Sequence, residues 1–89
     1  MNRVFLSGII DSDIEVYFSP KGDKILIFSL FMEEGRFSIE VVYKDRGTSD
    51  ALNLKRSDRV IASGALIKTK KGNQDKFRLE ANKLYVTEV

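Results

Sequence analysis

Residues 24–44 read KILIFSLFMEEGRFSIEVVYK, and two adjoining strands are written in them. Over 24–32, Leu26, Phe28, Leu30 and Met32 recur at every second position among β-branched and aromatic neighbours. A period of two is strand spacing, because successive side chains leave opposite faces. The other face carries Ile25, Ile27, Ser29 and Phe31, unusually apolar for a surface and suited to a subunit interface. Glu33-Glu34-Gly35-Arg36 is a short hairpin connection. Residues 36–44 alternate again, with Phe37, Ile39, Val41 and Tyr43 set against Ser38, Glu40, Val42 and Lys44.

Toward the N-terminus, residues 2–10 predict a further strand, in which Val4, Leu6 and Ile10 share a face with Gly8. A glycine there marks a bend or a close backbone approach. Ser19-Pro20-Lys21-Gly22-Asp23 predicts a turn, since proline fixes φ and glycine accepts a positive one. Toward the C-terminus the period changes. Thr48-Ser49-Asp50 before Ala51–Arg56 reads as an N-capped helix of one to three turns. Asp58–Lys68 is a fourth strand, with Val60, Ala62, Gly64 and Leu66 on one side. Lys70–Asp75 is a polar hairpin loop, and a fifth strand runs from Lys76 to about Thr87. Its apolar positions are Phe77, Leu79 and Ala81, then Leu84 and Val86, so a bulge is expected near Asn82.

Three strands, a short helix and two strands predict an all-β fold. The expected architecture is a five-stranded Greek-key OB-fold barrel with one short helix between strands 3 and 4. An SH3-like barrel shares the strand pattern, and the helix position favours the OB arrangement. The 89 residues suit one domain, 1–89. With no cysteine, disulfides, thiolate metal sites and cysteine nucleophiles are excluded; with no histidine, the commonest general base and metal ligand is missing. The acids Glu33-Glu34 and Asp11-Asp13 have no such partner, and no glycine-rich phosphate cradle occurs. The expectation is a protein that is not an enzyme and takes no cofactor or metal. The first eight residues lack the apolar core of a signal peptide, and no apolar run is long enough to span a bilayer, so a soluble, cytoplasmic protein is expected, without a membrane partner.

Net charge is only +2, and its distribution matters more. From Lys68 to Lys83 there are six basic residues against two acidic ones, whereas Asp11, Asp13 and Glu15 form an acidic patch near the start. Such polarity suits a one-sided surface for a polyanion.

The residues resemble a known family, the bacterial single-stranded DNA-binding proteins and the related primosomal replication protein B. Asn2-Arg3-Val4-Phe5-Leu6-Ser7-Gly8 resembles the family's opening strand. Asp13-Ile14-Glu15-Val16 and Ser19-Pro20-Lys21-Gly22 resemble its acidic segment and its turn. Phe28-Ser29-Leu30, Ser57-Asp58-Arg59-Val60 and Ser63-Gly64 resemble its second and fourth strands, so the likeness runs over almost the whole chain. Two departures stand out. The sequence stops at Val89, without the acidic tail that recruits partners in the family, which tilts the expectation toward the tail-less primosomal relative. The connection Glu33–Arg36 is also shorter than the family's loop.

The resemblance implies single-stranded DNA binding, largely independent of sequence, in replication, repair or replication restart. It also implies replication or restart proteins as partners, and a homodimer or higher homo-oligomer. It places Phe37 and Tyr43 as base-stacking rings and the Lys68–Lys76 hairpin over the DNA. In that hairpin Lys68, Lys70, Lys71 and Lys76 meet phosphates, and Arg36, Lys44, Lys55, Arg56 and Arg78 extend the electropositive track. Periodicity alone instead buries Phe37 and Tyr43 with Ile39 and Val41, and it makes the hairpin lysines a solvated edge. The alternatives in function are a protein-assembly module with little nucleic-acid affinity, and RNA binding.

Overall fold

A computed structural model describes residues 2–45 and 53–88. Its strands are β1 (Val4–Ile10), β2 (Glu15–Phe18), β3 (Lys24–Met32), β4 (Phe37–Asp45), β5 (Arg59–Lys71) and β6 (Gln74–Glu88). The all-β expectation holds, and six strands stand where five were read. The extra one, β2, has all four residues exposed and therefore no alternation to betray it. Its strand character comes from antiparallel pairing with β3, from Glu15↔Ile27 to Phe18↔Lys24.

The expected helix is not found among the described residues. Its cap and first turn, Thr48–Leu52, lie outside them, and the remainder, residues 53–56, runs without helix into a turn at Arg56 and Ser57, closed by the Asp58 N–H donating to the Lys55 carbonyl at 3.1 Å. Two expectations of local geometry are met. The Ser19–Asp23 turn has Gly22 at φ 90°, with the Gly22 N–H donating to the Ser19 carbonyl at 2.8 Å. The bulge on β6 falls at Asn82, because Ser63 pairs with Lys83 while Gly64 pairs with Ala81.

The strand pairings return on themselves. β1 pairs with β5, β5 with β6, β6 in parallel with β4, β4 with β3, and β3 with β1, leaving β2 outside the ring. The ring closes through only two pairs, Ile9↔Phe31 and Ile10↔Leu30. Gly8 permits this closure, since a Cβ there would collide with the Phe31 carbonyl.

The inward rows meet inside the ring. Ile10, Leu26, Phe28, Leu30, Val41 and Leu79 are buried at its centre, and each such side chain contributes roughly 1.5–3 kcal/mol by leaving water. The opposite face of β3, with Ile25, Ile27 and Phe31, is partly buried rather than open.

Candidate nucleic-acid interface

The β5–β6 hairpin is longer than the sheet that supports it. Beyond Gly64, β5 pairs with β6 alone, and before Arg78, β6 pairs with β5 alone. An arm of residues 68–77, from Lys68↔Phe77 outward, therefore leaves the body, turning at Gly72-Asn73. The loop read over residues 70–75 is mostly strand, with Lys70↔Asp75 and Lys71↔Gln74 as its last pairs. β4 and β6 pair only over Glu40–Tyr43 and Arg78–Ala81. Where they part, a cleft of about 440 Å³ opens between the start of β4 and the arm.

Phe37, Ser38, Ile39 and Glu40 form one wall of the cleft, and Thr69, Lys71, Asp75, Lys76 and Phe77 form the other. Phe37 and Phe77 are 54% and 52% exposed, although each lies on the same face of its strand as buried residues. Phe37 continues the row of Ile39 and Val41, and Phe77 continues the row of Leu79. Both rows outrun the core, so each ends on a ring in solvent.

The Phe37 ring is positioned by the hairpin before it. The Arg36 N–H donates to the Met32 carbonyl at 2.8 Å, and Arg36 takes a positive φ of 56° to close the loop. The ring lies against Gly35, where a Cβ would run into its Cδ1 and Cε1.

Tyr43 is different. It is 8% exposed and packs in the core with Val41 and Ala81, so no base can stack on it. That corrects the stacking role implied for it by resemblance. The physical reason is its neighbours: Tyr43 shares Phe37's face six residues further along the strand, where β4 is flanked by Leu26 of β3 and Ala81 of β6, whereas Phe37 lies beyond the pairing with β6. Phe77, read from the sequence only as an apolar strand position, is the second exposed ring lining the cleft. Its signal was its place at the end of an apolar row, next to a polar hairpin.

The cations divide in the same way. Lys71 and Lys76 line the cleft, Lys70 stands on the same arm, and Arg36 is beside Phe37. Among the described residues none of these four has an ion-pair partner. Lys68 lies across from Phe77 and holds Asp75 at 3.3 Å. Arg78 is half-buried and paired with Glu80 at 2.9 Å.

The other expected cations are elsewhere. Lys44 pairs with Asp23 at 3.7 Å, and it lies seven residues along β4 from Phe37, about 23 Å at strand rise. Lys55 pairs with Asp58 at 3.9 Å. Arg56 pairs with Asp13 at 3.4 Å, at the edge of a second cleft that adjoins the first through Ser38, Ile39 and Glu40. That second cleft carries Asp13 and Glu15, so the electropositive track ends at the arm. Nearby, the Asp11 carboxyl is held below the ordinary aspartate range, chiefly by a hydrogen bond with Ser29. Partial desolvation opposes that effect, and the Ser38 hydroxyl and Arg56 add to it. Among the described residues no group of acids is arranged to hold a metal ion.

No protein-family model and no curated protein matches the chain. Solved structures do. The wild-type single-stranded DNA binding protein from Thermus aquaticus matches with a TM-score of 0.82 at 22% identity, over 100% of this chain and 41% of that one. The second single-stranded DNA binding protein from Mycobacterium smegmatis matches at 0.78 and 14% identity, over 98% of this chain and 87% of that one. The single-stranded DNA-binding domain of a Synechococcus protein matches at 0.79 and 11% identity, over 96% and 94%. The chain thus spans about two fifths of the Thermus protein, and it shares the OB fold of all three.

Proposed function

We propose that the chain is an OB-fold barrel that binds single-stranded DNA, with phosphates on the lysines of the β5–β6 arm and bases stacked on Phe37 and Phe77. One observation carries this reading: two solvent-exposed rings and two lysines without ion-pair partners among the described residues line a single cleft. Single strands differ from duplexes in offering unpaired π-faces beside their charge, and this cleft meets both features at once. Each stacked base contributes roughly 1–3 kcal/mol, sequence-tolerantly because every base has a π-face. The fold shared with single-stranded DNA binding proteins supports the reading. The role that follows is the holding of exposed strands in replication, repair or restart, beside replication or restart proteins in the cytoplasm. The chemistry is binding without catalysis.

The test is a double substitution, Phe37→Ala with Phe77→Ala, titrated against a labelled single strand. Affinity should fall at least about 30-fold, the low end of two lost stacks at roughly 1 kcal/mol each, at unchanged melting temperature. Equal affinity would remove the rings from the site. Comparing deoxyribo- and ribo-oligomers of the same base separates DNA from RNA binding.

A second reading, a protein-assembly module, has its own observation. On the outer face of β1, β5 and β6, Phe5 is 68% and Tyr85 52% exposed, and Ile61 pairs across to Tyr85. Self-association through that face would give the homodimer or higher oligomer, and it is compatible with DNA binding at the arm. Assembly without measurable affinity for any oligonucleotide would make this second reading the whole function.

A further inference from the structure

We propose that Glu40 makes the cleft favour bases carrying an exocyclic amino group, cytosine foremost among the pyrimidines, over thymine. The inference rests on the single-strand reading above and adds a bias among bases to an otherwise sequence-tolerant site.

It follows from the hydrogen-bonding inventory of the cleft. Lys71 and Lys76 are its ammonium donors, and phosphates have first claim on them. The other polar side chains offer only lone pairs. The Ser38 hydroxyl is committed as a donor to Asp11 Oδ2 at 2.7 Å. The Thr69 hydroxyl donates to the Lys76 carbonyl at 3.4 Å. The Asp75 carboxylate is engaged by Lys68 at 3.3 Å. Glu40 is exposed where the two clefts meet, and among the described residues its carboxylate has no hydrogen bond or ion pair. A free carboxylate accepts and cannot donate.

A base stacked on Phe37 or Phe77 turns its edge toward these acceptors. Cytosine presents its N4 amino group, the partner a glutamate recognises. Thymine presents its O4 carbonyl in that place, and two acceptors facing each other repel. The second cleft reinforces the bias, because its lining adds Glu15 and Asp13, the latter paired with Arg56 at the edge, beside Glu40.

The experiment compares fluorescence-anisotropy titrations of the whole chain with oligo-dC and oligo-dT of one length, at one salt concentration and neutral pH. Both are pyrimidine strands with equal charge, so phosphate contacts cancel in the ratio. The expected result is that oligo-dC binds about tenfold more tightly, the low range for one good side-chain-to-base contact. Glu40→Gln, which keeps the shape and supplies an N–H donor, should bring the two affinities together. If both oligomers bind equally, or oligo-dT binds better, the base preference is overturned while single-strand binding stands. A preference that survives Glu40→Gln overturns the assignment to Glu40. If neither oligomer binds, the functional reading itself falls, and the inference with it.

Discussion

Phe37 and Tyr43 occupy one face of one strand and do opposite work. Tyr43→Ala empties a core position, and a loss of roughly 3 kcal/mol is expected on denaturant unfolding, with the affinity of the folded fraction for single strands intact. Phe37→Ala should leave the unfolding midpoint where it is and weaken binding by about 1–3 kcal/mol. Gly35 links the ring to the loop before it. Gly35→Ala puts a methyl group where the ring lies, so it should weaken binding by less than Phe37→Ala does, at little cost in stability. Gly8→Ala acts on the fold instead. Its methyl group meets the Phe31 carbonyl at the seam of the ring, and a loss of about 1–3 kcal/mol should appear in thermal unfolding. At Asp11 the sign follows from the direction of the shift. A carboxyl whose pKa is lowered by folding adds stability above the ordinary aspartate value near 3.9. That contribution disappears as pH falls through the lower, folded value. Ser38→Ala removes one of the hydrogen bonds responsible, so the Asp11 carboxyl should titrate at higher pH when followed by NMR.

At the scale of elements, the arm of β5 and β6 is where charge without internal neutralisation gathers. Replacing Lys70, Lys71 and Lys76 with glutamine should flatten the salt dependence by about 2 units of slope, at roughly 0.7 per phosphate contact on a single strand. Lys68→Gln alone should do less than Lys71→Gln alone, because Lys68 already faces Asp75. The strands were legible in the sequence wherever one face is buried. Leu26, Phe28, Leu30 and Met32 are all core, and the parity change at Asn82 marked its bulge. β2 was illegible because none of Glu15–Phe18 is buried and the strand owes its conformation to a neighbour. The candidate site was half legible. A row of alternating apolar residues says which way a side chain points and not how far the core extends along the row. For that reason Phe37 and Tyr43 could not be told apart, and Phe77 read only as one apolar position of its strand. Ion pairs such as Lys44 with Asp23 join residues far apart in sequence, and no local pattern announces that such a cation is already engaged.

For the molecule as a whole, the ring of strands supplies rigidity and its open end supplies the chemistry. The rings sit where the rows outrun the core, and the lysines where the hairpin outruns the sheet. A ligand that is both anionic and unstacked satisfies the two together, whereas a duplex offers charge with its bases hidden. The most direct measurement is an anisotropy titration at two salt concentrations, using a mixed-sequence single strand of ~16 nucleotides, the upper site size of one OB fold, and the same sequence as a duplex. The single strand should bind more tightly than the duplex at both concentrations, and its affinity should fall as salt rises. Equal binding of strand and duplex, or no binding of either in dilute buffer, would contradict a cleft built for unpaired bases.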